Sequence, residues 1–194
     1  MSLSDDEILQ RQAALQAEAS AVIADLDLLA FVGAVGSPSR TGSSAYGLMV
    51  ARDIDITTLC PVLDVEALFD ALRPLARHPR VRRSSFRNDT GRWNTDPAYP
   101  DGLYWMVEYV ADAGAAWNLD LWFLRDGTTQ FDLEHLRTLP PRLSLETRLA
   151  ILRIKEAVGG RAGVDRVRSH LVYEAVLDHG IRTPEEFERY LDGL

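Results

Sequence analysis

The sequence predicts an α+β fold: a mixed β-sheet backed by helices, with a helical C-terminal subdomain. Three observations predict it. The stretch Ala51-Arg52-Asp53-Ile54-Asp55-Ile56-Thr57 alternates polar and apolar residues between two helix-like segments. Three more strand-like segments then follow with no helix between them. The last third of the chain returns to helical spacing.

In chain order, Ser4 to about Leu29 reads as a helix. Ser4 is its cap, and Asp5, Asp6 and Glu7 suit its first turn. Gly33, Gly36 and Pro38 break the pattern. A glycine-bearing turn and the alternating strand follow, from Ser39 to about Thr57. Asp64 caps a second helix, with Val65, Leu68, Phe69, Leu72 and Leu75 inward and Pro74 and Pro79 around its end. Val81–Phe86, Gly102–Ala111 and Ala116–Leu124 are the strand-like segments. Asp89-Thr90-Gly91, Asp96-Pro97 and Asp112-Ala113-Gly114 are the turn signals between them. Leu145–Val158 and Val164–His179 are helices ending on glycine. Thr183-Pro184-Glu185-Glu186 opens a last one with a capping box. The expected division is 1–130 for the sheet unit with its N-terminal helix and 131–194 for the helical subdomain.

A chain of 194 residues can bury a sizeable core, and 46% hydrophobic with 26% charged residues is an ordinary globular balance. One cysteine, Cys60, excludes an intramolecular disulfide and a cysteine-based metal site. Its apolar neighbours favour a buried, inert thiol over a reactive one. The start of the chain is acidic with no secretory apolar segment, and the longest apolar stretch, around Leu28 to Val35, is far too short to span a bilayer. A cytoplasmic protein is the expectation. The net charge of −8 argues against general attraction to polyanions, so any anion needs a local site.

The chemistry concentrates between Thr41 and Ile56. Asp53 and Asp55 stand two apart on a strand, so both carboxylates leave one face. Two carboxylates repel unless a cation joins them, and Mg²⁺ favours one or two carboxylates plus phosphate oxygens and water. Ile54 and Ile56 anchor the other face. Gly42 lets backbone approach a phosphate and Ser43 offers a hydroxyl, with free N–H groups added if Ser44 to Gly47 starts a helix. Taken alone, Asp-x-Asp also reads as a solvated strand face.

Gly42-Ser43, a spacer of nine residues, and Asp53-Ile54-Asp55-Ile56 together resemble the signature of the nucleotidyltransferase superfamily. Its members include polymerase-beta-like enzymes, antibiotic nucleotidyltransferases and the small bacterial minimal transferases. The resemblance implies a third acid on a later strand, and Asp120 in Asn118-Leu119-Asp120-Leu121-Trp122 fits. It also implies transfer of a nucleoside monophosphate from a nucleoside triphosphate, ATP among the candidates. Asp53 and Asp55 hold two Mg²⁺ or Mn²⁺ ions, Asp120 completes the metal site nearer the acceptor and serves as its base, and Gly42 and Ser43 hold the β- and γ-phosphates. A small-molecule hydroxyl acceptor is favoured, with tRNA or protein, as in toxin-type relatives, the alternative. A silent nucleotide-binding or interaction module is the other reading. It requires Asp120 to point away from Asp53 and Asp55.

Further residues carry weaker signals. Arg73, Arg77, Arg80, Arg82, Arg83 and Arg87 form a basic cluster that reads as a solvated helix end and a charged edge strand. Since Arg82 and Arg83 face opposite ways, one is a candidate to clamp phosphate on the metal face. Trp93, Trp105, Trp117 and Trp122 are expected around the site, with Trp122 on the face of Asp120. Glu108 reads as solvent-facing or ion-paired. His78, His135, His170 and His179 lack metal-ligand spacing. The acceptor is expected in a cleft between the sheet and the C-terminal helices, with specificity after about Leu133.

Overall fold

The computed structural model describes residues 3–96, 99–159 and 167–193. Among them, eight α-helices surround one five-stranded sheet: α1 Asp5–Asp25, α2 Leu28–Gly33, β1 Ser37–Thr41, α3 Gly42–Tyr46, β2 Asp53–Cys60, α4 Val65–Ala76, β3 Val81–Asp89, β4 Gly102–Val110, β5 Ala116–Arg125, α5 Phe131–Thr138, α6 Leu145–Val158, α7 Ser169–Leu177 and α8 Pro184–Leu191. The α+β class with a mixed sheet is therefore as expected. No helix of the described residues is long and apolar enough to cross a membrane.

The capping signals read in the sequence act where it places them: Ser4 and Thr183 each accept from the backbone N–H three residues on, with the reciprocal bond present, and Asp64 caps α4. Ser144, which the sequence reading did not single out, caps α6 in the same way. The first helix is shorter than expected because Asp27 sits at φ 46°, a left-handed conformation that aspartate tolerates, and this splits α1 from α2. Pro74 lies inside the last turn of α4, as its place before Leu75 implies. Two elements escape the sequence pattern. β1 is a polar edge strand containing Pro38, and α5 buries no residue and has no side-chain cap. Of the expected Val164–His179 helix, 164–166 lie outside the described residues, as do Pro97 and Gly160 of the turn signals.

Strand order is β1-β2-β5-β4-β3, with β2 and β5 parallel and the remaining pairs antiparallel. Ile54, Ile56, Leu119, Leu121, Phe123, Trp105 and Val107 point to one face. There they form a core with α1, α2 and α4 through Leu15, Val22, Leu28, Leu68, Leu72 and Leu75. A second apolar cluster joins Tyr46 and Leu48 to α6, α7 and α8, through Ile151, Ile154, Val172, Val176 and Phe187. The other face of the sheet is left for polar side chains.

The tryptophans divide between these faces, which corrects the expectation that all four surround the site. Trp117 (1% exposed) and Trp105 (6%) are in the core, whereas Trp93 is 59% exposed. Trp117→Ala is expected to cost about 3–5 kcal/mol by loss of the buried ring. Trp93→Ala should stay within about 0.5 kcal/mol of the wild type. Urea unfolding of the two variants checks the division.

Candidate functional site

The site begins with two strands in register. On β2, Asp53 and Asp55 share the face opposite Ile54 and Ile56. On β5, Asn118, Asp120 and Trp122 share the face opposite Leu119 and Leu121. The parallel pairing sets Asp53 beside Asn118 and Asp55 beside Asp120. One carboxylate oxygen from each of Asp53, Asp55 and Asp120 lies within 4.8 Å of the others.

Three like charges this close demand compensation. Asn118 Nδ2 donates to Asp53 Oδ1 at 2.9 Å and to Asp120 Oδ1 at 3.1 Å. The Tyr104 hydroxyl also donates to Asp120 Oδ1. Burial pushes the Asp55 carboxyl well above the usual carboxylate range, and the charges of Asp53, Asp120 and Asp132 push it further. Lys155 opposes the shift. A divalent cation fits this donor set: three convergent carboxylates, one of them with its ionised form disfavoured by burial and by its like-charged neighbours.

Gly42 sits against Asp55. Its φ is +61°, and a Cβ there would lie 1.9 Å from Asp55 Oδ2, so no side chain fits. Thr41 precedes it opposite Asp55 on the β1–β2 ladder. At the other end of α3, Arg148 Nη1 donates to the carbonyls of Tyr46 (2.8 Å) and Gly47 (2.6 Å). Lys155 Nζ donates to the Leu48 carbonyl at 2.8 Å. Burial lowers Lys155 to about 8, against the attraction of Asp55 and Asp53.

A cleft of about 1020 Å³ opens over this face. Gly42, Ser43, Asp53, Asp55, Asp120 and Trp122, all singled out in the sequence, line it together. As expected, residues near the C-terminal helices form one wall, among them Asp132, His135, His170 and Tyr173. Trp93, expected around the site, lines a second wall, the segment after β3, together with Asn94 and Tyr99, which were not foreseen there. Asp101 folds that segment back by accepting from Gly91 N at 2.9 Å and Asn94 Nδ2 at 3.0 Å. Burial raises Asp132 against the opposing charges of His135 and His170. His170 is lowered, first by burial and then by Arg168.

The arginine expectation needs correction. Arg82 and Arg83 both pair with Glu108, at 2.9 and 3.8 Å, and neither lines the cleft. Register faults between Val81 and Arg83 upset the simple alternation that set the two apart. Arg87 lines the cleft instead. Its guanidinium lies 4.6 Å from the Tyr104 ring centroid and 5.6 Å from that of Trp122, with Asp89 pairing at 2.7 Å. Burial raises the Cys60 thiol to about 11, with Asp126 adding to the shift, in keeping with an inert core thiol.

Sequence reasoning missed Asn118, Tyr104 and Lys155 as parts of the site. Two-residue spacing before Asp120 was the available signal for Asn118. Tyr104 needed the β4–β5 register, which pairs it with Trp122. Nothing but being the sole lysine marked Lys155.

No protein-family model and no curated protein matches the chain. Solved structures do. A structure of Cid1 in complex with its short product ApU is similar at a TM-score of 0.46 and 14% identity, over 79% of this chain and 47% of that one. A cytoplasmic RNA terminal U-transferase is similar at 0.45 and 15%, over 77% of this chain and 46% of that one. CdnC of E. coli MS115-1 with ATP is similar at 0.44 and 14%, over 96% of this chain and 65% of that one. The chain spans about half the length of the first two and 65% of CdnC.

Two outcomes follow from the geometry. Gly42→Ala must displace the Asp55 carboxylate or leave its left-handed φ, so it should lose about 1 kcal/mol or more of stability and any metal response, read by thermal melting with and without Mn²⁺. For Asp55, the raised native pKa means the folded chain holds more protons than the unfolded one above the ordinary carboxylate range. Its contribution to stability therefore falls as pH rises towards the native value. Without metal, Asp55→Asn should melt higher than the wild type at neutral pH, and the gap should close in acid.

Proposed function

We propose that this chain is a metal-dependent nucleotidyltransferase, moving a nucleoside monophosphate from a nucleoside triphosphate to an acceptor hydroxyl. The observation that carries the reading is the convergence of Asp53, Asp55 and Asp120 within 4.8 Å beside a glycine whose Cβ position the Asp55 carboxylate occupies. The silent-module reading requires Asp120 to point away, and it points in.

Asp53, Asp55 and Asp120 would hold divalent metal, Mg²⁺ or Mn²⁺. When bound, the metal neutralises the triphosphate and favours an ionised acceptor oxygen. Gly42 and Ser43 bind the β- and γ-phosphates at the β1–α3 side of the acids. Asp120 orients the acceptor hydroxyl and takes its proton, kept in place by Asn118 and Tyr104. The acceptor oxygen bonds to the α-phosphorus, the bond from there to the bridging oxygen breaks, and pyrophosphate leaves. Lys155, buried behind Asp55, supplies fixed positive charge to the cluster. Division of the chain at about residue 130 belongs to this proposal. It is supported by the second apolar cluster, built mainly of α6, α7 and α8.

Thermal melting with ATP, GTP, CTP or UTP, with and without Mg²⁺ or Mn²⁺, tests the reading. A ligand of the native state at 100 times its Kd adds about 2.7 kcal/mol of stability. At least one triphosphate should do so for the wild type, only with metal, and not for Asp53→Ala/Asp55→Ala. If no triphosphate moves the wild type with either metal, the proposal fails.

A further inference from the structure

The cleft has two sides. In the order β1-β2-β5-β4-β3, Gly42 and Asp55 mark the β1 side and Asp120 lies on β5. A triphosphate tail at Gly42 leaves the acceptor the other half, over β5, β4 and β3. There, beside Asp89, Asn94 and Asp96, stand aromatic rings that each have a guanidinium against them. Arg87 lies over Tyr104 and Trp122. Arg92 lies 4.6 Å from the ring centroid of Trp93, which is 59% exposed. Further out, Arg168 lies 5.8 Å from the ring centroid of Tyr99, which is 39% exposed, and donates to its hydroxyl at 2.6 Å.

We propose that the acceptor is the end of a single-stranded nucleic acid, seated over β5–β4–β3 by Trp122, Arg87 and Trp93. The inference rests on the nucleotidyl-transfer reading above and names its acceptor class. Flat bases stack on exposed rings, and the strand's phosphates meet the guanidiniums beside them. A duplex offers no free base face to these rings. The net charge of −8 by itself speaks for a small acceptor. Placement outweighs the sum: Arg73, Arg80, Arg82 and Arg83 are ion-paired outside the cleft, whereas Arg87, although paired with Asp89, lines it against Tyr104 and Trp122, and Arg168 lines it against Tyr99.

The test is fluorescence anisotropy with labelled single-stranded RNA and DNA of about ten nucleotides and with an RNA duplex, in Mg²⁺ buffer, across a salt series. A single strand should bind, and the duplex should bind at least tenfold more weakly. Arg87→Ala and Trp93→Ala should each weaken single-strand binding about fivefold or more, the range of one lost stacked base. Arg87→Ala should also flatten the log–log salt slope by about 0.7, one phosphate contact on a single strand. Arg82→Ala, paired with Glu108 outside the cleft, should bind as the wild type does. Binding of RNA, DNA or both supports the proposal and identifies the sugar. It is overturned if neither strand binds, if duplex binds equally, or if both cleft variants bind like the wild type. The wild-type melting response to triphosphate is read in parallel. A triphosphate response without strand binding removes the acceptor and leaves transfer standing, whereas strand binding without that response removes transfer.

Discussion

Asp55 and Asp120 face each other across a parallel strand pair because the opposite face of both strands is core. Ile54, Ile56, Leu119 and Leu121 are all fully buried. A slip of one residue on either strand would bury a carboxylate and expose an isoleucine or leucine. At roughly 1.5–3 kcal/mol for each large apolar side chain, the core holds the register firmly. The hydrophobic effect on one face therefore forces like charges together on the other. Asn118, Tyr104 and the raised Asp55 carboxyl are the local responses to that repulsion.

The same constraint explains why the C-terminal helices matter to acids they do not carry. α3 has only five residues, too few to be helical alone. It is secured from behind, where Tyr46 and Leu48 join the cluster of α6, α7 and α8, and Arg148 and Lys155 of α6 take up the carbonyls of Tyr46, Gly47 and Leu48. Since Gly42 opens α3 against Asp55, the position of the glycine turn is set by α6 as much as by β1. A buried lysine is costly to desolvate, and its lowered pKa records that cost. The acids beyond it offset part of it.

Much of this was legible in the sequence because it follows short periods. Two-residue alternation placed Asp53 and Asp55 on one face, and capping residues set the starts of α1, α4 and α8. The unread parts depend on partners far along the chain. β1 is polar and carries a proline, so only its pairing with β2 identifies it. α5 has no apolar face to show a period. Trp122 follows from its two-residue spacing to Asp120, but Trp105 shares no strand with the acids, and only the register of β4 on β5 puts it in the core. Arg87 was read only as one member of a basic cluster, because the face it shares with the acids is set by the pairing of β3 on β4 and of β4 on β5.

Charge is arranged in the same way, by position rather than by total. Four of the arginines around β3 are spent on Asp70, Asp25, Asp112 and Glu108, at the ends and outer edge of the sheet. Such pairs at an exposed strand contribute little to stability, about 0–1 kcal/mol each, but a charged edge resists pairing with another chain. Arg87 is also paired, to Asp89, yet it is packed against two rings facing the acids. Packing against Tyr104 and Trp122 reduces the freedom the guanidinium has left to lose, so an anion arriving there meets a charge already in place. Tyr104 bears on both sides of that arrangement. Its ring supports Arg87 and its hydroxyl donates to Asp120, so one side chain of β4 fixes both the cation over the outer half of the cleft and the carboxylate at its centre.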